Sequence, residues 1–488
     1  MISKFVREQK RYTQGNLRDI FECPAEKAVN IIKKLKEYGV LKVVKATDNQ
    51  KNMSDLIDED IEIADVEVGE NEYLYVFTFV GVITVAGRIL KCYPKYITSN
   101  ISPKFELRQV LKVLEKYNAK EQIVRMYNDN GEGSSFNLLA VMLYLLHDYY
   151  ENGIYINTQD IIEENGSGEI LWDKTINETF TLLCNNRPYY TELLTKKRVT
   201  DDFDYFKRLH ECILSKFTKE LKKADLLYLF DIMPVDVSDE TLGEFGDNEY
   251  ILYRIQNELS IQFNTRKQLV LKAIYAYIAH SSSLSSVDNF SMFGTNSFNL
   301  VWERVCSDVM NNQLQNTLGS LNLPVALHSD YKENDTLISL IEKPKWIGNK
   351  DDGSSFVRVA KDTLIPDLIS IHSVNGRYCF TIFDAKYYNI QLEQKKELRG
   401  QPGIADITKQ YLYQLAYKKF INLHSIREVK NCFLMPTDQS NIIDKGYANM
   451  EMLNELGLQH IQIRQLPAIN MYEYYLKGEK IDISLLKL

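Results

Sequence analysis

Residues 364–388 read LIPDLISIHSVNGRYCFTIFDAKYY, two apolar runs separated by Asn375-Gly376. Asn-Gly is a strong signal for a two-residue hairpin turn, because both central positions of a type I′ turn require positive φ. With those two residues as the loop, 374 faces 377, 372 faces 379 and 367 faces 384. Asp367 and Asp384 then oppose one another on one sheet face, with Cβ atoms about 4.5–5.5 Å apart. Lys386, two residues beyond Asp384, shares that face. A one-residue slip would send Asp367 to the opposite face, so the turn decides the arrangement.

Like charges opposed across a sheet are destabilising. A shared proton would relieve them, and so would a hard cation such as Mg²⁺ bound through oxygen ligands. The third possibility is structural, with both aspartates solvated at strand ends. The lysine bears on the choice. Beside a cation it can hold an attacking water or offset charge developing on a phosphate. Beside a proton-sharing dyad it would oppose protonation. The pattern favours a hard-metal site.

The whole chain gives the setting. Its 488 residues, 45% of them hydrophobic, suffice for several domains with real cores, and 31 Tyr and 21 Phe argue against long disorder. The mild net charge of −8 argues weakly against wholesale coating of nucleic acid, and leaves room for a local basic patch. Seven cysteines without CxxC spacing give neither a zinc site nor a disulfide framework, and fit reduced thiols. No signal peptide is evident, and no apolar run approaches about 18 residues, so a cytoplasmic protein without a membrane span is expected.

Residues 13–45 suggest helix, turn, helix and strand. Pro24 stands at the start of the second helix, Ala28, Ile31, Ile32 and Leu35 recur at helical spacing, and Gly39 marks its stop. Residues 1–45 hold 11 Lys/Arg against 5 Asp/Glu, whereas 46–72 hold 1 against 10. The basic half suits phosphate contacts through Arg18, Lys27, Lys33 and Lys34 on a winged-helix-like domain; a protein-contact role is the alternative. The acidic segment suggests a solvated loop or edge hairpin. Residues 73–96 alternate as strands with bends at Gly81 and Gly87. The region from about 103 to 280 is expected to be mostly helical, with FNLLAVMLYLLHDYYENG (136–153) as a core helix and GEILWDKTI (168–176) as a strand or loop. Serine-rich 280–289 is the expected internal loop.

Pro366-Asp367 followed by Asp384-Ala385-Lys386 resembles the signature of the PD-(D/E)XK nuclease superfamily. Three neighbouring stretches sharpen the resemblance. DITKQYLYQLAYKKF (406–420) is similar to the Gln/Tyr helix that follows this motif in McrC-type nucleases. FGTNSFNLVWERVC resembles the preceding helix with its glutamate. FVGVITVAGRILKCYPKY and GEILWDKTI resemble segments of the McrC-like LlaJI restriction endonuclease family, so the likeness runs from about residue 73 to 430.

The resemblance implies roles. Asp367 and Asp384 would bind Mg²⁺ or Mn²⁺, with the Ala385 carbonyl as a further ligand and Glu303 as the helix-borne acid, either ligand or outer neighbour. Lys386 would position the water or stabilise the transition state. Gln414 would be the supporting glutamine, with Tyr413 and Tyr417 on the same helix and Gln410 as a rival one turn earlier. The implied fold is α+β multidomain: a winged-helix-like domain with an acidic loop (1–72), a β segment and helical middle region (73–280), and an α/β/α nuclease core (281–488). The implied function is a DNA endonuclease, the cleaving subunit of a phage-defence restriction system acting on double-stranded DNA. The chain has no GxxxxGK[ST] phosphate loop and so should bind no nucleotide itself. The resemblance therefore implies a separate McrB-like AAA+ GTPase, and double-strand cleavage implies a second copy of the chain. The alternatives are a stand-alone restriction or repair nuclease needing no motor, and a catalytically inert DNA-binding adaptor.

Overall fold

A computed structural model of the chain describes residues 2–45, 73–118, 137–200, 203–280, 290–374 and 376–488. The acidic segment 46–72, most of the serine-rich stretch 280–289, and Asn375 lie outside the described residues. Two compact units emerge. One comprises Ile2–Ile83, Arg88–Val124 and Phe293–Leu488; the other comprises Thr84–Gly87 and Arg125–Met292, with Met1.

The first unit begins with strands β1 (Ile2–Arg7) and β2 (Arg11–Tyr12), helices α1 (Gln14–Phe21) and α2 (Ala25–Glu37), and strands β3 (Leu41–Lys45), β4 (Tyr73–Phe77), β5 (Val80–Val85) and β6 (Arg88–Tyr93). Thr13 and Asn16 form a reciprocal capping box that starts α1. Pro24 caps α2, whose Ala28, Ile31, Ile32 and Leu35 are buried. Gly39, with φ +66°, lets the chain leave that helix. A three-stranded sheet ordered β2-β4-β3 completes this N-terminal module.

A second sheet has the order β1-β6-β5-β12, where β12 is Phe290–Thr295, and β1 runs parallel to β6. Gly81 and Gly294 meet there, at φ +144° and +155°. A Cβ on Gly81 would lie 2.1 Å from the Phe293 carbonyl oxygen, and one on Gly294 would lie 2.1 Å from that of Val80. Neither backbone can retreat without breaking the sheet. Gly81→Ala is expected to lower unfolding stability by about 3 kcal/mol, combining backbone strain with the clash. Denaturant melts of parent and variant check this, and coincident midpoints would refute it.

In the second unit, helices spanning Leu138–Asn152, Tyr205–Lys223, Asn248–Ile261 and Thr265–Ala279 accompany strands between 158 and 200. The sequence led us to expect mostly helix there. Instead Thr158–Glu164, Leu194–Thr200 and Glu169–Ile170 form one sheet, and Thr181–Cys184 pairs with Arg187–Tyr190. The turn between the last two is Asn185-Asn186, both at positive φ, which is hairpin geometry. GEILWDKTI divides into the short strand Glu169–Ile170 and the helix Trp172–Glu178.

The C-terminal part of the first unit is built around a five-stranded mixed sheet. Helix α9 (Phe298–Val309) precedes β15 (Leu368–Val374) and β16 (Arg377–Ala385); α10 (Ile404–Leu423), β17 (Glu428–Thr437), β18 (Ile443–Ala448), β19 (Ile461–Pro467) and α11 (Ala468–Lys477) follow. The order is β15-β16-β17-β19-β18, with β16, β17 and β19 mutually parallel and the two edge strands antiparallel. From Cys379 onward β16 is buried at every position, as a central strand covered on both faces must be. Ile369, Ile371, Phe380 and Ile382 pack with Tyr413, Tyr417, Phe420 and Ile421 of α10. Each such side chain, fully buried, contributes about 1.5–3 kcal/mol. That packing holds the carboxyl end of β16 in place. Among the described residues, no helix is long and apolar enough to cross a membrane.

Candidate active site

The β15–β16 hairpin has the register that a two-residue turn imposes. Val374 pairs with Arg377, His372 with Cys379 and Leu368 with Phe383. Gly376 takes φ +77°. The ladder thus leads Asp367, one residue before β15, to the level of Asp384 near the end of β16. Asp367 Oδ2 accepts a hydrogen bond from the Ala385 amide at 2.9 Å. Asp384 is 5% exposed. Lys386 donates its backbone N–H to Leu434 of β17 at 2.9 Å, which carries the chain past the strand end in extended form. Its Nζ lies 3.1 Å from Asp384 Oδ2 and 2.8 Å from Asp406 Oδ1.

The electrostatics follow from burial. Asp384 is pushed up to about 8, first by desolvation and then by the neighbouring Asp367. Burial also raises Asp367, with Glu303 adding to the effect and hydrogen bonds from Asp384 and the Ala385 amide opposing it. Desolvation works to lower the Lys386 ammonium, yet Asp384 and Asp406 together hold it above the ordinary lysine range. Lys386 is therefore a fixed positive charge and not a base. Glu303, half-buried on α9, is raised by burial and then by Asp384, which places it electrostatically in the same cluster.

The remaining residues singled out from the sequence divide clearly. Tyr413 donates its hydroxyl to the Ile365 carbonyl at 2.8 Å, bracing the approach to Asp367. Tyr417 donates to the Leu337 carbonyl at 3.0 Å. Gln414 uses both ends of its amide on Gln459: Nε2 donates to the carbonyl and Oε1 accepts from the N–H, each at 2.8 Å. Gln410 instead reaches the Ile382 carbonyl on β16 at 3.4 Å, and its buried Oε1 has no hydrogen-bond partner among the described residues. Arg18, Lys27, Lys33 and Lys34 lie exposed or half-buried on α1 and α2, helices that carry none of the acidic pair.

Asp406 was not anticipated. It sits in the first turn of α10, one turn before Gln410, and grips Lys386 directly. Its helical phase with Gln410, Tyr413 and Tyr417 was the available signal. The α9 residue preceding Glu303 also matters. Trp302 is fully buried and donates Nε1–H to the Leu434 carbonyl at 3.1 Å, the oxygen that also accepts from Lys386.

Among the described residues, no group of three or more His, Cys, Asp or Glu side chains is arranged to enclose a metal ion. Mg²⁺ needs no such cage, because it is commonly held by one or two carboxylates, waters and substrate phosphate. Two hard oxygen donors that repel one another at a strand end, with a further carboxyl near enough to act on both electrostatically, fit that chemistry.

Comparison with known proteins places this geometry in context. The profile of the family described as LlaJI restriction endonuclease matches residues 79–469. The type II restriction enzyme BsuMI component YdjA of Bacillus subtilis (strain 168) is 26% identical over 410 residues, covering 83% of this chain and 81% of that protein. Among solved structures, a half-complex of Thermococcus gammatolerans McrB AAA+ hexamers with bound McrC aligns over 98% of this chain and 99% of that one, at 11% identity and a TM-score of 0.38. A second structure, of the Thermococcus gammatolerans McrBC complex, aligns over 62% of this chain and 86% of that one, at 11% identity and a TM-score of 0.27. With the family profile covering most of its length, the chain belongs to the LlaJI restriction endonuclease family.

Proposed function

We propose that the chain is a Mg²⁺- or Mn²⁺-dependent DNA endonuclease, the cleaving subunit of a restriction system, with a PD-(D/E)XK core in its C-terminal part. The observation that carries this reading is Asp367, Asp384 and Lys386 converging at the end of β16 in a member of a restriction endonuclease family. Asp367 and Asp384, with the Ala385 carbonyl beside them, would hold the cation. When bound, the cation supplies Lewis acidity toward the phosphate and a more acidic water. Lys386, kept charged by Asp384 and Asp406, would offset the negative charge that builds on the scissile phosphate. Glu303, with its raised affinity for protons, is the group suited to relay a proton at the site. Gln410, through its link to Ile382, supports β16, a role the sequence assigned first to Gln414.

An AAA+ motor of the McrB type is the proposed partner, because the chain lacks a phosphate loop of its own. The N-terminal module is proposed as a winged helix meeting DNA phosphates, and cutting of both strands as the work of two copies. Purified chain with Mg²⁺ and double-stranded DNA, with and without the motor and its nucleotide, tests the reading. Cleavage is expected only with the motor present, and Lys386→Ala is expected to reduce it at least about 100-fold. Cutting by Lys386→Ala at the parent rate would overturn the catalytic assignment. Efficient cutting without the motor would overturn the partnership.

The basic helix has its own test. Neutralising Lys33 and Lys34 together is expected to reduce the slope of log affinity against log salt by about 1–2, as two lost phosphate contacts require. An unchanged slope would make the module a protein-contact surface.

A further inference from the structure

Beyond the acidic pair, the carboxyl ends of the parallel strands β16, β17 and β19 open onto a cavity of about 550 Å³. Ligands of open α/β sheets collect at this edge, and the volume falls within the range of about 300–1,000 Å³ typical of small-molecule sites. Asn389 and Gln391 form one wall, three and five residues past Lys386. That wall is fixed: Gln391 and Arg399 bond backbone to backbone, and Gly400, at φ +64°, lies so near that a Cβ there would meet the Asn389 carbonyl oxygen at 2.4 Å. Asp438 and Gln439, just after β17, form the opposite wall. Asp438 is itself clamped, because its Oδ2 accepts the backbone N–H groups of Thr98 and Ser99, each at 2.8 Å.

The lining selects a class of ligand. Its cations, Arg7 and Lys445, are matched by Glu393 and Asp438, so the cavity has no net positive charge with which to draw in a phosphate. Burial disfavours the Asp438 anion, but the amides of Ser99 and Thr98 outweigh it and hold the carboxyl below its usual range. The other carboxylate oxygen, Oδ1, takes only a long 3.4 Å hydrogen bond from the exposed Gln439 amide, and so can accept from an exocyclic amino group. Primary amides on both walls supply the paired donor and acceptor that a base edge requires. We propose that this cavity takes a nucleobase of the substrate strand, one that bears an exocyclic amino group (cytosine, adenine or guanine, but not thymine), close to the scissile phosphate. The proposal rests on the nuclease reading for the identity of the substrate.

The test needs no cleavage. The intact chain is titrated with deoxycytidine, deoxyadenosine, thymidine and deoxyguanosine by ligand-observed NMR, with inorganic phosphate as competitor. Deoxycytidine, deoxyadenosine and deoxyguanosine should each bind in preference to thymidine, and phosphate should not displace them. Asp438→Asn keeps an oxygen for the Thr98 and Ser99 amides but turns a donor toward the base, and should weaken that binding roughly tenfold. Gln391→Ala, on the wall held by backbone bonds to Arg399, should weaken it without touching Asp438. Absence of binding, equal binding of all four nucleosides, displacement by phosphate, or discrimination unchanged in both variants would each overturn the proposal. Failure of the nuclease reading would appear separately, as DNA cleavage that persists in Lys386→Ala.

Discussion

Asp384→Asn should abolish DNA cleavage and, in the absence of divalent cations, make the protein more stable as pH rises. The two effects have one cause. Asp384 is buried beside Asp367, so its folded-state affinity for a proton lies far above that of an ordinary carboxyl, at about 8 against 3.8. Between those values the folded protein holds a proton that the unfolded chain has released. Stability from that proton is fully present below the unfolded value and is lost as pH climbs toward the folded one. An amide carries no charge to desolvate, so the variant escapes the loss. Parent and variant should melt alike in acid and diverge progressively up to about pH 8, by a few kcal/mol. Mg²⁺ should then stabilise the parent at the upper end of this window, where the pair is ionised, and leave the variant unmoved. Cleavage should fall roughly 1,000-fold or more, the scale of several kcal/mol of lost transition-state stabilisation. Parallel melting curves in EDTA across the whole window would refute the buried-pair account. Retained cleavage would refute the catalytic one.

The hairpin that carries this pair was legible because its determinants are local. Asn375-Gly376 fixes the loop length, strand alternation fixes the faces, and the observed pairing of Val374 with Arg377 follows from both. Tertiary approach is not local. Asp406 lies twenty residues beyond Lys386, and only the packing of α10 on the sheet brings their side chains to 2.8 Å. The two glutamines of α10 illustrate the same limit. Gln410 and Gln414 share a helical face, so periodicity cannot distinguish the one that reaches β16 from the one committed to Gln459. In the middle region Asn185-Asn186 carried a turn signal like that of Asn-Gly, but the flanking TLLC and RPYY lack the alternation that exposes a strand. Nor can a single sequence reveal that its first and last segments share one compact unit.

Trp302→Ala should have the largest effect on stability of any single truncation near the site, and it should reach the chemistry as well. The indole is wholly buried between α9 and the sheet, with the Tyr472 ring edge-on at 6.3 Å. Removing so large a side chain from a packed interior typically costs about 3–5 kcal/mol, part lost transfer energy and part cavity. The Leu434 carbonyl would also lose one of its two donors and keep only the Lys386 amide. Glu303 is the next residue on α9, so any shift of that helix into the cavity moves its carboxyl relative to Asp384. Trp302→Phe refills most of the space but cannot donate to Leu434, and so separates the two contributions. The alanine variant should unfold at markedly lower denaturant and cut poorly even where it remains folded. The phenylalanine variant should recover most of the stability while cleavage stays several-fold below the parent. Full cleavage in Trp302→Phe would mean that the indole N–H plays no part in setting the Lys386 end of β16, leaving Trp302 to act through packing alone.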